Sequence, residues 1–332
     1  MTRKKDAYII DEDLSDVIFG KESLNASNHI GISKDRRGLS VLDALEIVIK
    51  QMKQEGKRPR TIKDYDTYVR HYVKTLGIDD ISEVSSDSVY EWLSSMKVAD
   101  STKLIRLKCL RAFFERCNIR GWLPDPWWRN IKIKVSSPVK KSADERDILF
   151  VLSMLDLSDF IQLRDAVAIL TLYQTGIRIE TAALLREKHV DINGRALRLG
   201  GDIMKNHNAL ILPIDERLAR LLSVLIEQNK KVRREKRTNN DYVFITAQGE
   251  PSLKTPTNNN IARRINAYRK EYKLDNFSAH AIRRAYAYNL YKRSGRDLAL
   301  VSKALGHSDF SVTSRYLDLG AEEVADDLRK YL

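Results

Sequence analysis

Apolar residues between positions 39 and 129 recur at steps of three and four, which is the spacing of the inner face of an amphipathic helix. Four such stretches follow one another, and they are predicted to begin near Ser40, Thr61, Asp87 and Ser101. Ser40 and Thr61 suit an N-cap, because their hydroxyl oxygens can accept a backbone N–H of the first turn. Four short helices in succession predict a small all-α bundle.

A second region, residues 144–332, has a different pattern. Helical spacing is found at 144–155, 159–175, 178–187 and 215–237, and again through most of the chain after residue 258. Three short runs between these stretches are typical of β-strands, at 196–199, 209–214 and 242–245. We therefore expect a mainly α-helical domain with a small β-sheet.

The remaining segments set the domain boundaries. Residues 1–38 are polar and lack periodicity, which predicts a flexible N-terminal extension. Pro- and Trp-rich sequence ends the bundle near residue 129, and residues 130–143 are predicted to form an extended basic linker. Residues 321–332 have the pattern of an amphipathic helix. That helix would pack either on its own domain or on a neighbouring copy, and the pattern leaves both open.

Charge narrows the class of partner. The net charge is +13, and the excess is divided between residues 39–140 (+6) and 141–332 (+7), while residues 1–38 are neutral. A basic surface on both domains favours a polyanion such as DNA. No apolar run approaches the roughly 20 residues of a membrane span, so we expect a cytoplasmic, nucleoid-associated protein. The two cysteines, Cys109 and Cys117, are expected to be buried free thiols.

Two fragments of the second region carry arginines in positions suited to an anion. In TGIRIETAALL, Arg178 stands where a helix begins after a Thr-Gly turn. In SAHAIRRAYAYNLY, His280 and Arg283 are three residues apart and so share one helix face, while Arg284 points elsewhere and is expected in solvent. Taken alone, each fragment is better explained by ordinary structural residues than by a site.

Two further fragments supply groups that could move a proton or attack a phosphorus atom. The polar loop of GDIMKNHNALILPI contains Lys205 and His207, of which Lys205 is the better placed to act as a proton donor. In ALGHSDFSVTSRYLDL, His307 follows a Gly turn and Tyr316 comes nine residues later in an apolar run. A tyrosine in such a run is usually a core residue, so a chemical role for Tyr316 is indicated only together with the other fragments.

The order and spacing of these fragments resemble the active site of the tyrosine recombinase, or phage integrase, family. The resemblance covers about residues 155–320, and the helical region 39–130 is similar to the family's N-terminal core-binding domain. The fragment around Lys205 departs from the family, which often has Gly-Lys-Gly where this chain has MKNHN. The implied catalytic residues are Arg178, Lys205, His280, Arg283, His307 and Tyr316.

The resemblance implies a site-specific recombinase that cuts and rejoins DNA through a 3′-phosphotyrosine at Tyr316. It further implies a tetramer acting on two DNA duplexes. The N-terminal extension favours an integrase or transposon recombinase of a mobile genetic element, and a chromosome-dimer resolvase stays open. Basic residues of the helical domain are candidates for DNA contact, namely Arg60, Lys63, Lys103 and Arg106. The sequence has no GxxxxGK[ST] loop and no carboxylate cluster beside these fragments, so we expect no cofactor and no metal.

Two alternatives stay open at the level of sequence. A type IB topoisomerase uses similar chemistry to relax supercoils without exchanging partners. A DNA-binding regulator without catalysis would explain the charge and the helices, but would leave the ordered Arg-Lys-His-Arg-His-Tyr set as a coincidence.

Overall fold

The computed structural model describes residues 38–135, 141–204, 208–255, 258–307 and 310–314, together with positions 317 and 329. The predicted N-terminal extension, most of the C-terminal helix, Lys205 and Tyr316 therefore lie outside the described residues. The chain divides into two compact units, Met1–Ser136 and Ser137–Leu332. The overall class is the one expected, mainly α with a small sheet.

In its described residues, 38–135, the first unit is a bundle of four helices, α1 (Val41–Gln54), α2 (Pro59–Leu76), α3 (Ser86–Ser95) and α4 (Asp100–Ile119). Ser40 caps α1 as predicted, its Oγ accepting from the N–H of Leu42 at 3.1 Å. The predicted cap of α2 at Thr61 is wrong, because Pro59 occupies the first position of that helix, where a missing N–H costs nothing. The core combines aliphatic side chains with aromatic ones, and Tyr72 and Trp92 are among those buried in it.

The cysteines lie in this bundle and are both free. Cys117 is buried, as predicted, and burial raises the pKa of its thiol to about 12. Cys109 is only half-buried, so the expectation of two buried thiols is correct for one of them. The unit also contains short 3-10 turns at Ile81–Glu83 and Trp127–Asn130.

The second unit is built from eight helices and five short strands in its described part. The helices are α5 (Glu145–Met154), α6 (Phe160–Thr175), α7 (Ile179–Ala183), α8 (Glu216–Lys236), α9 (Asn260–Glu271), α10 (Ala279–Arg293), α11 (Leu298–Leu305) and α12 (Phe310–Ser314). Helix α6 packs against both α8 and α10 and is buried along most of its length, which makes it the centre of the unit. A buried carboxylate, Asp165, ties α6 to α9 by accepting from Arg264 Nε at 2.7 Å.

The strands are β1 (Val190–Asp191), β2 (Ala196–Leu199), β3 (Leu210–Pro213), β4 (Leu253–Thr255) and β5 (Asn258–Asn259). The first three form one antiparallel sheet in the order β1-β2-β3, and β4 pairs with β5. The predicted strand at 242–245 is wrong: Val243 and Phe244 are buried, but this segment makes only isolated bridges at its two ends. The helix predicted at 178–187 is shorter, since α7 ends at Ala183 and a 3-10 turn follows at Glu187–His189. Within the described residues, no helix is long and apolar enough to span a membrane.

Candidate active site

The turn between α6 and α7 positions Arg178. Helix α6 ends in Gly176, which adopts the left-handed conformation (φ 60°) and donates its N–H to the carbonyl of Leu172 at 2.9 Å. Only glycine fits here, because a Cβ at this position would lie 2.1 Å from Cδ1 of Tyr286. Two residues later, Arg178 is the N-cap residue that precedes α7. The side-chain amide of Asn259 secures the same turn by donating to the carbonyl of Ile179 at 3.3 Å.

Arg283 joins three segments of the chain. It lies in α10 and is only 2% exposed. Its guanidinium donates to the carbonyl of Gly176, to the carbonyl of Leu305 at 2.9 Å, and to Nε2 of His307 at 3.0 Å. A buried arginine held by backbone carbonyls keeps its charge and a fixed orientation. One side chain therefore holds together the end of α6, the end of α11 and His307 by hydrogen bonds.

His307 is neutral and its tautomer follows from its partners. A guanidinium can only donate, so Nε2 accepts from Arg283 and the ring proton lies on Nδ1, which donates to Oγ1 of the buried Thr313 at 2.9 Å. Burial, Arg283 and Arg178, in that order, lower the pKa of His307 to about 4. The ring is thus held as a neutral hydrogen-bonding group between two permanent cations.

Arg178 completes a positively charged centre. Its side chain is half-buried, and among the described residues it has no carboxylate and no hydrogen-bond partner. It lies close enough to His307 to lower the pKa of that ring. Two guanidinium groups therefore lie near one histidine, and their positive charge favours the binding of an anion there.

His280 lies in the first turn of α10, one turn before Arg283, and it is exposed. Ser278 caps this helix, its Oγ accepting from the N–H of Ala281 at 3.2 Å. The structure therefore presents the His280 imidazole at the surface, on the helix that carries the buried Arg283. Arg284 corrects an expectation, because it is half-buried and its Nε donates to the carbonyl of Lys141 at 3.0 Å instead of lying free in solvent.

The segments that carry Lys205 and Tyr316 can be followed to their last described neighbours. Met204 is buried, and the carbonyl of Ile203 accepts from Oγ1 of Thr181 in α7 at 3.4 Å, so the loop begins beside the Arg178 turn. Leu317 is buried in a small cluster with Val301 and Leu305. The residue after Tyr316 is thereby packed on the helix that precedes His307.

Two residues of this centre were missed at the sequence level. Thr313 orients His307, and only its position three residues before Tyr316 in a family-like fragment could have indicated a role. Tyr286 packs against Gly176, and its signal was the three-residue step from Arg283 that puts both on one face of α10.

The four candidate DNA contacts differ in their surroundings. Arg60 forms a surface ion pair with Asp64 at 3.0 Å, and Lys63 is exposed one turn along α2. Lys103 and Arg106 lie one turn apart on α4. The Arg106 guanidinium stands 5.6 Å from the ring centre of Tyr68 and 3.3 Å from the Met96 sulfur, without a carboxylate partner among the described residues. In the described part of the chain, no three His, Cys, Asp or Glu side chains are grouped so as to hold a metal ion.

The chain is similar to known proteins both in sequence and in structure. It is 25% identical to the tyrosine recombinase XerD of Vibrio cholerae, over 74% of this chain and 80% of the relative. It is also 25% identical to XerD of Chlamydia pneumoniae, over 82% and 89%. In structure, it is similar to the Tn1549 transposon integrase in complex with a circular intermediate DNA, with a TM-score of 0.67, 15% identity and coverage of 88% of this chain and 100% of the other.

A lambda integrase tetramer bound to a Holliday junction gives a TM-score of 0.65 at 13% identity, over 85% of this chain and 78% of the other. These structural matches show a shared fold. The model of the phage integrase family matches residues 144–323, more than half of the chain and all of the centre built around Arg283. The chain therefore belongs to the phage integrase family, the tyrosine recombinases.

Proposed function

We propose that this chain, a site-specific DNA recombinase by its family, cuts one DNA strand by attack of the Tyr316 hydroxyl on a scissile phosphate. The bond from phosphorus to the 5′-oxygen breaks as the bond to the tyrosine oxygen forms, leaving a 3′-phosphotyrosine and a free 5′-hydroxyl. Attack of another strand's 5′-hydroxyl on the phosphotyrosine reverses these steps and rejoins the DNA. The phosphotyrosine bond conserves the energy of the broken phosphodiester, so neither the cutting step nor the rejoining step requires ATP.

The observation that carries this proposal is the convergence of Arg178, Arg283 and His307. The phosphorane-like transition state gathers negative charge on its non-bridging oxygens, and fixed guanidinium donors stabilise that charge without reorganisation. Arg283 is already oriented by two carbonyls and a histidine, so its geometry does not depend on substrate. The pair of arginines therefore does the electrostatic work for which other enzymes employ a metal ion.

Proton transfer falls to the remaining groups of the set. A phenol is mostly protonated at neutral pH, so attack by Tyr316 needs an acceptor, and His280 on the exposed first turn of α10 is the candidate. Lys205 would donate a proton to the leaving 5′-oxygen, since its loop begins beside α7. His307 can hydrogen-bond the phosphate only after Nε2 gains a proton, a change that the negative charge of a bound phosphate favours.

The proposed partner is double-stranded DNA at specific recombination sites, contacted by the helical unit through Arg60, Lys63, Lys103 and Arg106. Arg106 is the strongest of these candidates, because it is held by Tyr68 and has no carboxylate to satisfy it among the described residues. We assign the active form to a tetramer on two duplexes, supported by the lambda integrase tetramer bound to a Holliday junction. A protein that works on chromosomal DNA would be cytoplasmic and associated with the nucleoid.

The test is recombination between two duplexes that carry the junction sequences flanking the gene, in EDTA and without ATP. The expected result is a joined product with the wild-type protein and none with Tyr316→Phe, although both bind the DNA. Relaxation of a supercoiled plasmid without site preference would instead support a type IB topoisomerase. Tight binding without any strand transfer would support a DNA-binding regulator.

A further inference from the structure

The Tyr286 ring lies between the Gly176 turn and a small apolar cluster that contains Leu317. On one side it meets the backbone of Gly176, since the three atoms nearest to a Cβ built there all belong to this ring, at 2.1 to 2.9 Å. On the other side it packs against the cluster formed by Ala287, Val301, Leu305 and Leu317. The ring thus touches both the turn that precedes Arg178 and the cluster that contains the neighbour of Tyr316.

This contact bears directly on the arginines. The carbonyl of Gly176 accepts a hydrogen bond from Arg283, and Arg178 follows two residues later. Any movement of Gly176 toward α10 would therefore shift one arginine and loosen the other. An aromatic ring resists such movement, because it is rigid and fills the space with a flat surface.

The ring matters here more than the hydroxyl. Among the described residues, no group hydrogen-bonds the Tyr286 hydroxyl. The side chain is half-buried and lines a groove of about 910 Å3 together with Asn289 and Leu290. The ring is therefore not fully enclosed. Its position is set by contacts with Gly176 and with the Leu317 cluster.

We propose that Tyr286 is a positioning residue whose ring sets the distance between the turn that precedes Arg178 and the cluster that contains Leu317. The inference rests on the proposed function, because it assumes that Arg178 and Arg283 act on a phosphate attacked by Tyr316. Tyr286 itself touches no substrate in this account. It acts through Gly176 on one side and through the cluster that contains Leu317 on the other.

The experiment measures single-turnover cleavage of a nicked junction substrate that traps the covalent complex, with protein in saturating excess. Tyr286→Phe keeps the ring and should cleave within about twofold of wild type. Tyr286→Leu loses the ring, and its cleavage rate should fall about tenfold or more, since small misplacements of catalytic groups are costly. The matched control is Tyr291→Leu, which alters the same helix and cluster but not the contact with Gly176.

A double-substitution cycle separates positioning from general damage to the fold. On a substrate with a 5′-bridging sulfur as a better leaving group, Tyr286→Leu should cost less in an Arg178→Ala background than in the wild-type background, because one of the groups that the ring positions is already absent. An equal loss in both backgrounds, or a Tyr286→Leu rate equal to wild type, would overturn the inference while leaving the proposed function intact. A wild-type protein that never forms the covalent complex would overturn the proposed function, and this inference with it.

Discussion

Substituting Gly176 by alanine tests whether the turn that precedes Arg178 is held by packing of Gly176 against the Tyr286 ring. The backbone there is left-handed, which costs an alanine about 1–2 kcal/mol, partly offset by about 0.4–1 kcal/mol from the less flexible unfolded chain. The new Cβ would also lie 2.1 Å from the Tyr286 ring, an overlap that must be relieved by movement. Overpacking of this kind typically costs about 1–3 kcal/mol.

The same unit offers a matched control. Gly295 has a similar conformation (φ +67°), but nothing lies within 4 Å of a Cβ built on it. Gly295→Ala should therefore cost only the backbone term, about 1 kcal/mol. Gly176→Ala should cost about 2–4 kcal/mol. For a unit of this size, the difference corresponds to a further fall in Tm of about 5 °C.

Thermal unfolding of the two variants, followed through the transition of the second unit, measures this difference. In a Tyr286→Ala background the ring is absent, so Gly176→Ala should then cost about as little as Gly295→Ala. The reasoning is refuted if Gly176→Ala is no more destabilising than Gly295→Ala, or if removal of the ring leaves the extra cost unchanged.

Two other predictions concern pH and DNA affinity. The pKa of His307 is lowered from 6.5 to about 4 in the folded state, so its contribution to stability is complete above pH 6.5 and is lost as the pH falls toward 4. The free energy of unfolding should fall by at most about 3 kcal/mol, and by less for a partly exposed ring. Denaturant titrations from pH 7 to pH 4 should show this fall. His307→Asn should make the free energy of unfolding less dependent on pH. Arg106→Ala should weaken DNA binding and reduce the slope of log K against log salt by about 1. Arg70→Ala serves as the control, because Asp66 and Glu46 already neutralise Arg70, and equal salt slopes for both variants would contradict the role of Arg106.

The features that sequence predicted well are those with local causes. Helix α1 begins after Ser40 because the hydroxyl of that residue accepts backbone N–H groups of the first turn. Helix α6 ends before Gly176 because glycine enters the left-handed conformation freely. The three-residue step between His280 and Arg283 likewise fixes them on one helix, whatever surrounds it.

The features that sequence did not predict depend on contacts between distant positions. Arg283 and Gly176 are 107 positions apart, so no local pattern reveals that one donates to the other's carbonyl. The segment 242–245 has the composition of a strand, but its neighbours in space offer only single bridges, so no ladder forms. Arg284 was expected in solvent because a helix face cannot show that the backbone of Lys141 passes beside it.

The central claim is that Tyr316 is the nucleophile of a reaction that requires no metal ion. The most direct measurement incubates the protein with a nicked junction substrate in EDTA, stops the reaction with SDS, and maps the attachment site by mass spectrometry of the DNA-linked peptide. We expect a 3′-phosphate linked to Tyr316, and no adduct with Tyr316→Phe. An adduct on another residue, or none despite tight binding of the same substrate, would contradict it.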